Sequence, residues 1–116
     1  MRSSLNDESP IAVLEDLPDG GLAECSATVD GDAESLILLR TGQQVRAWLN
    51  VCPHAGRRLD WSPGEFLRSR TGELVCAAHG ASFELERGEC VAGPCRGESL
   101  RAVAVQVRDG KVLLAQ

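Results

Sequence analysis

Both histidines of this 116-residue chain stand within three positions of a cysteine, and that pairing limits the possible folds more than any other feature. The first segment reads Cys52-Pro53-His54-Ala55-Gly56, the second Cys76-Ala77-Ala78-His79-Gly80. With two His and five Cys in the whole chain, the coincidence points to a joint use of the four side chains. Thiolate and imidazole together suit a borderline or soft metal such as zinc or iron. Using all four requires two compact loops from separate parts of the chain to meet. Each loop follows an apolar run, Leu49-Asn50-Val51 or Leu74-Val75. Pro53, Gly56 and Gly80 suit sharp turns whose backbone N–H groups can face sulfur.

The rest of the sequence reads as short strands separated by turns. Ile11–Leu14 precedes the turn cluster Leu17-Pro18-Asp19-Gly20-Gly21, and Leu22–Val29 is a weak strand ended by Asp30-Gly31-Asp32. Ser35–Arg40 and Gln44–Val51 flank Thr41-Gly42, the clearest hairpin of the first half. Glu73–Cys76 is a short strand, and Ser82–Arg87 turns at Gly88 toward Glu89-Cys90-Val91. Leu100–Val107 and Lys111–Leu114 form a terminal hairpin around Arg108-Asp109-Gly110, with Val103, Val105 and Val107 making one apolar face. Asp60–Gly72 is irregular, with a turn or strand around Glu65-Phe66-Leu67. No long helical stripe occurs, so the expectation is an all-β sandwich or open barrel. Residues 1–9 are polar and expected to be loose, leaving 10–116 as one domain.

Composition narrows the function. Hydrophobic residues make up 43% of the chain, enough for a core, and with two Trp, two Phe and no Tyr that core must rest on aliphatic side chains. The net charge of −5 argues against a nucleic-acid surface and suits a carrier that meets a basic patch, or solubility alone. No stretch approaches the roughly 20 apolar residues of a membrane span, and the N-terminus lacks a secretory pattern. The expected compartment is the cytoplasm, where cysteines are reduced or metal-bound.

The pairs Cys52-Pro-His54 and Cys76-Ala-Ala-His79 resemble the Rieske family, whose pattern is C-x-H followed by C-x-x-H. Gly56 and Leu59 after the first pair, and Gly80 and Phe83 after the second, extend the similarity, which runs from about Ile11 to the C-terminus. The resemblance implies antiparallel sheets with a two-loop cluster-binding subdomain at one tip, about residues 50–97. It also implies one 2Fe–2S cluster, with Cys52 and Cys76 on the inner iron and His54 and His79 on the outer one. The implied function is one-electron transfer by a Rieske-type ferredoxin, to or from an oxygenase or reductase component. The chain holds no third histidine for the two-His, one-carboxylate iron site of an oxygenase. It is therefore expected to carry electrons rather than to catalyse by itself.

Departures from the family pattern refine this expectation. Residues 55–75 separate His54 from Cys76, a longer interval than many members carry. The quinol-oxidising members have an extra cysteine in each cluster loop, joined as a disulfide; here Arg57, Ala77 and Ala78 fill those places. Those members also place Ser and Tyr against the cluster sulfurs, where this chain has Ala81 and Phe83. Fewer hydrogen bonds to sulfur disfavour the reduced cluster, so the expected potential lies toward the low end of the Rieske span of about −150 to +300 mV.

Three other functions fit parts of the pattern: a small accessory subunit of a reductase such as nitrite reductase, a redox-sensing binding module, and a zinc-stabilised interaction module using the same Cys₂His₂ set. Cys90 and Cys95 bracket Val91-Ala92-Gly93-Pro94, in a loop that shields the cluster in the family. The expected state is two free thiols, with a redox-active disulfide as the rival, and the sequence leaves the choice open. Cys25 is expected in the core, Trp48 and Trp61 as packing residues, and Arg57 and Arg58 at a solvated rim or against an acidic partner.

Overall fold

The computed structural model describes residues 9–53, 56–77 and 80–115. The segment 1–9 expected to be loose lies outside the described residues, apart from Ser9. Among the described residues, eleven strands build three antiparallel sheets: β1 (Ala12–Val13), β2 (Leu22–Val29), β3 (Asp32–Thr41), β4 (Gln44–Leu49), β5 (Leu67–Arg68), β6 (Leu74–Val75), β7 (Ser82–Phe83), β8 (Cys90–Ala92), β9 (Ala102–Val103), β10 (Val105–Arg108) and β11 (Lys111–Leu114). Leu14–Asp16 forms a single 3₁₀ turn. The sheet orders are β1-β11-β10, β2-β3-β4-β9 and β5-β6-β7-β8. The all-β expectation holds.

The central hairpin forms where Thr41-Gly42 suggested it, with Thr41 opposite Gln44. A second long hairpin joins β2 to β3 through Asp30-Gly31. Both turn residues have positive φ, 53° and 87°, the pattern that matches the twist of two antiparallel strands. The sequence reading ended a strand there without pairing it to the next. Asp109-Gly110 closes β10 onto β11 in the same way.

Strand β3 has buried residues on both of its faces. Leu36 and Leu38 join one core with Leu17, Ala47, Leu49 and Val112. Ile37 and Leu39 join another with Trp48, Leu59, Leu74 and Phe83. Successive side chains of a strand point to opposite faces, so the run Leu-Ile-Leu-Leu serves the two cores alternately. Strand β4 does the same, with Ala47 and Leu49 on one side and Trp48 on the other. The first core lies against the β1-β11-β10 sheet. The second lies against the β5-β6-β7-β8 sheet.

The stretch expected as one strand from Leu100 is divided at Ala104. Val103 pairs with Ala47 in the middle sheet, and Val105 pairs with Leu114 in the terminal one. Val103, Val105 and Val107 still pack against one core, as their period-two spacing suggested. Within the site-bearing sheet the strands are only two or three residues long. The run 82–87 stops being a strand after Phe83, because residues 85–87 turn back. Trp48 is buried, but Trp61 is 60% exposed, which corrects the packing role expected for it. Its neighbours Ser62–Glu65 form a tight turn that leaves the indole outside.

Because both faces of β3 are core, Leu36→Ala and Ile37→Ala should each cost about 2–5 kcal/mol of stability, read as shifts in urea midpoint at constant slope. A strand with one solvated face would show the cost at only one of these adjacent positions.

Candidate metal centre

Cys76 follows β6 directly, and Cys52 follows β4 after Asn50 and Val51. Both loops close in the same manner. The Cys52 N–H donates to the Arg57 carbonyl at 2.7 Å, and the Gly56 N–H donates back to the Cys52 carbonyl at 2.8 Å. The Cys76 N–H donates to the Ala81 carbonyl at 2.7 Å, and the Gly80 N–H donates to the Cys76 carbonyl at 2.9 Å. In each case the glycine stands four residues after the cysteine and has positive φ, 67° at Gly56 and 75° at Gly80. That region is open to glycine at no steric cost, which explains why both motifs need it. The Ala77 N–H reaches the Leu59 carbonyl at 3.5 Å, a long contact that links the two loops.

Cys52 and Cys76 are fully buried and share one core cluster with Leu59, Leu74, Ala81 and Phe83. The two histidine positions fall inside the two closures in sequence. His54 and His79 themselves lie outside the described residues.

A ring of polar side chains fixes the first loop, and the sequence reading missed it. Asn50 is only 1% exposed. Its Oδ1 accepts the Leu59 N–H at 2.8 Å, and its Nδ2 donates to Ser35 Oγ at 3.2 Å. Ser35 Oγ donates in turn to Glu24 Oε2 at 2.8 Å. Beyond Leu59, Asp60 accepts two hydrogen bonds from Arg58, at 2.9 and 2.8 Å, and one from the Gly64 N–H at 3.1 Å. Arg58 also approaches Glu24 at 3.5 Å, which completes the ring. Arg58 is thus engaged within the molecule, and Arg57 remains exposed at the rim. The available signal was a polar Asn ending an apolar strand just before the loop.

Burial alone would push the Asp60 carboxyl up, but the Arg58 guanidinium, the Gly64 N–H and Asn50 outweigh it and hold it below the usual aspartate range. Among the other cysteines, burial pushes the Cys25 thiol up to about 11, helped by the neighbouring Glu24 charge. Cys25 is half-buried beside the core of the terminal sheet rather than inside it. Burial also pushes Cys95 up to about 12, with further contributions from its hydrogen bond to Cys90 and from nearby charge.

Two buried thiols thus stand on matched loops, and each loop also carries one histidine in sequence. The chain belongs to the Rieske [2Fe–2S] domain family, whose model matches residues 8–109. The family's domain is that of one Rieske-type 2Fe–2S cluster, and the donor types found here fit it. Oxidoreductase NdmD of Pseudomonas putida is 36% identical over 96 residues. That match takes in 82% of this chain but 15% of the relative's length, so the chain corresponds to a small part of it. The ferredoxin of carbazole 1,9a-dioxygenase from Nocardioides aromaticivorans IC177 superposes with a TM-score of 0.70 at 29% identity, over 92% of this chain and 95% of that one. A chain from the complex of reduced oxygenase and oxidized ferredoxin in carbazole 1,9a-dioxygenase gives 0.68 over 92% and 91%, and at 23% identity it speaks for the fold alone. Among the described residues, no helix is long and apolar enough to cross a membrane.

Asn50→Ala leaves the buried Leu59 N–H without its acceptor and should cost about 1–3 kcal/mol, measured by urea denaturation. A group whose folded pKa is depressed contributes stability that is complete above its unfolded pKa and is lost as pH falls through the folded one. Stability should therefore be lost as pH falls below about 4, the ordinary aspartate pKa, and Asp60→Asn should flatten part of that decline in denaturation curves taken down through that pH.

Proposed function

We propose that this chain carries single electrons on one Rieske-type 2Fe–2S cluster held by Cys52, His54, Cys76 and His79. The observation that carries the reading is the repeated closure of the two cysteine loops around two buried sulfurs. Preorganised ligands lower the ordering cost that binding must otherwise meet. When bound, the cluster supplies a one-electron couple.

The chain's own residues set the conditions around it. Cys52 and Cys76 exclude water from the sulfur side. Ala81 and Phe83, both fully buried, offer no side-chain donor to sulfur, and that absence favours the oxidised form. The working unit of the reading is residues 10–116, with the cluster-binding part at about 50–97. The chain acts as a carrier within an oxidoreductase system, in the cytoplasm, and its partner is an oxygenase or reductase component. The end-to-end similarity to the ferredoxin of a dioxygenase supports an oxygenase as the electron acceptor.

Iron and sulfide analysis with EPR of the dithionite-reduced protein tests the reading. The expected result is two irons per chain and a rhombic signal that disappears in Cys52→Ser, Cys76→Ser, His54→Ala and His79→Ala. The midpoint should lie below about +150 mV. A colourless protein with one zinc, or a histidine variant with unaltered absorption and redox behaviour, contradicts it.

A further inference from the structure

Cys90 and Cys95 are buried thiols outside the proposed ligand set. Cys90 lies on β8 opposite Phe83, at an irregularity in the β7–β8 pairing. Cys95 lies in the turn that follows β8. Cys95 Sγ is 3.0 Å from Cys90 Sγ, and Cys90 Sγ is 3.2 Å from the Ala92 carbonyl oxygen. Nonbonded carbon atoms rest about 3.5–4.0 Å apart, and sulfur is larger than carbon. The two sulfurs are therefore closer than packing alone would bring them, and the contact is a thiol–thiol hydrogen bond. A disulfide bond of about 2.05 Å lies roughly 1 Å further along the same line.

The turn between them carries backbone bonds from the Arg96 N–H to the Gly93 carbonyl and from the Gly97 N–H to the Cys90 carbonyl, both 3.3 Å, and from the Cys90 N–H to the Glu98 carbonyl at 2.7 Å and the Glu98 N–H to the Cys95 carbonyl at 2.9 Å. Val91, Gly93, Pro94, Arg96 and Gly97 are exposed. Solvent-exposed backbone bonds open locally at small cost, and such an opening admits a reagent to sulfurs that are otherwise covered. The turn also touches the second cysteine loop. A Cβ on Gly93 would stand 2.8 Å from Ala81 Cα, so the two backbones are pressed together. Ala81 is the residue whose carbonyl closes the Cys76 loop.

We propose that Cys90 and Cys95 form a reversible dithiol–disulfide couple, a modification site whose state is passed through Gly93 and Ala81 to the second cysteine loop. The co-reactant is a low-molecular-weight disulfide. Attack by one Cys thiolate breaks the small disulfide's S–S bond, forming a mixed disulfide and releasing one small thiol. The second Cys then displaces the other small thiol and makes the Sγ–Sγ bond. Two electrons pass from the cysteine pair to the small disulfide, and two protons leave with the small thiols. A one-electron cluster alone cannot complete this step, which is why a two-electron reagent is required.

The test equilibrates the whole protein in glutathione buffers of graded ratio, then alkylates free thiols after acid quenching. Cleavage after Arg87 and Arg96 places both cysteines on one peptide, residues 88–96. The expected result is a single two-electron transition from a doubly alkylated peptide to an unalkylated one lighter by two hydrogens, absent in Cys95→Ser. A peptide that is doubly alkylated at every ratio, or one that stops at a glutathione adduct, overturns the couple. This arm does not depend on the metal. The second arm rests on the cluster reading above. Release of iron to a chelator should be several-fold slower in the disulfide form, and equal rates overturn the transmission to the second loop. Iron content and EPR of the same samples report separately on the cluster reading itself.

Discussion

A strand whose middle, Leu36–Leu39, is buried on both faces ties this molecule together. Leu36 and Leu38 bury themselves toward the terminal sheet, and Ile37 and Leu39 toward the site-bearing one. Each alternate side chain thus belongs to a different core. The site-bearing sheet has strands of two or three residues, too short to be stable alone. Its stability comes from packing against the far face of β3 and β4, with Trp48 filling the junction. The long middle hairpins are therefore the platform on which an otherwise marginal subdomain is held.

On that platform Cys52 and Cys76 share one pattern of backbone closure and differ in the further contacts that hold their loops' ends. The second is closed by backbone bonds and pressed by Gly93 against Ala81. The first carries the same backbone closure but leads into the longer interval before Cys76, which has no counterpart behind the second loop. Its exit at Leu59–Asp60 is held by Asn50, Ser35, Glu24 and Arg58 instead. Buried polar networks are costly unless satisfied, and here Asn50 and Asp60 both have partners. The Arg58–Asp60 pair has one exposed member, with side-chain exposures of 47% and 1%. Its main effect is to satisfy Asp60 rather than to add Coulombic energy.

The sequence disclosed what depended on local pattern. The Cys/His pairs with their glycines, the Thr41-Gly42 hairpin and the all-β class were all legible, because a turn residue or a period of two expresses them within a few positions. What depended on distant contacts was not legible. Nothing near Ala104 announces that the strand passes from one sheet to another there, since both halves keep the same alternation. Asp30-Gly31 is a strong turn pair, yet the weak strand before it concealed the hairpin. Trp61 reads as core by residue type and is exposed because its tight turn faces solvent. Arg58 and Asp60 look like ordinary surface charges, and only the fold shows that Arg58 bridges Asp60 to Glu24 on β2.

Four of the five cysteines share one core cluster, and their sulfurs, not their backbones, separate them into two pairs. Cys52, Cys76 and Cys90 each donate their N–H at 2.7 Å, so the three are anchored alike. On the proposed reading Cys52 and Cys76 hold a metal, which needs sulfurs at fixed positions, and each stands in a loop closed by the glycine four residues on. Cys90 and Cys95 stand outside that set. A bond between them needs the two sulfurs brought together, and the 3.0 Å contact already does that.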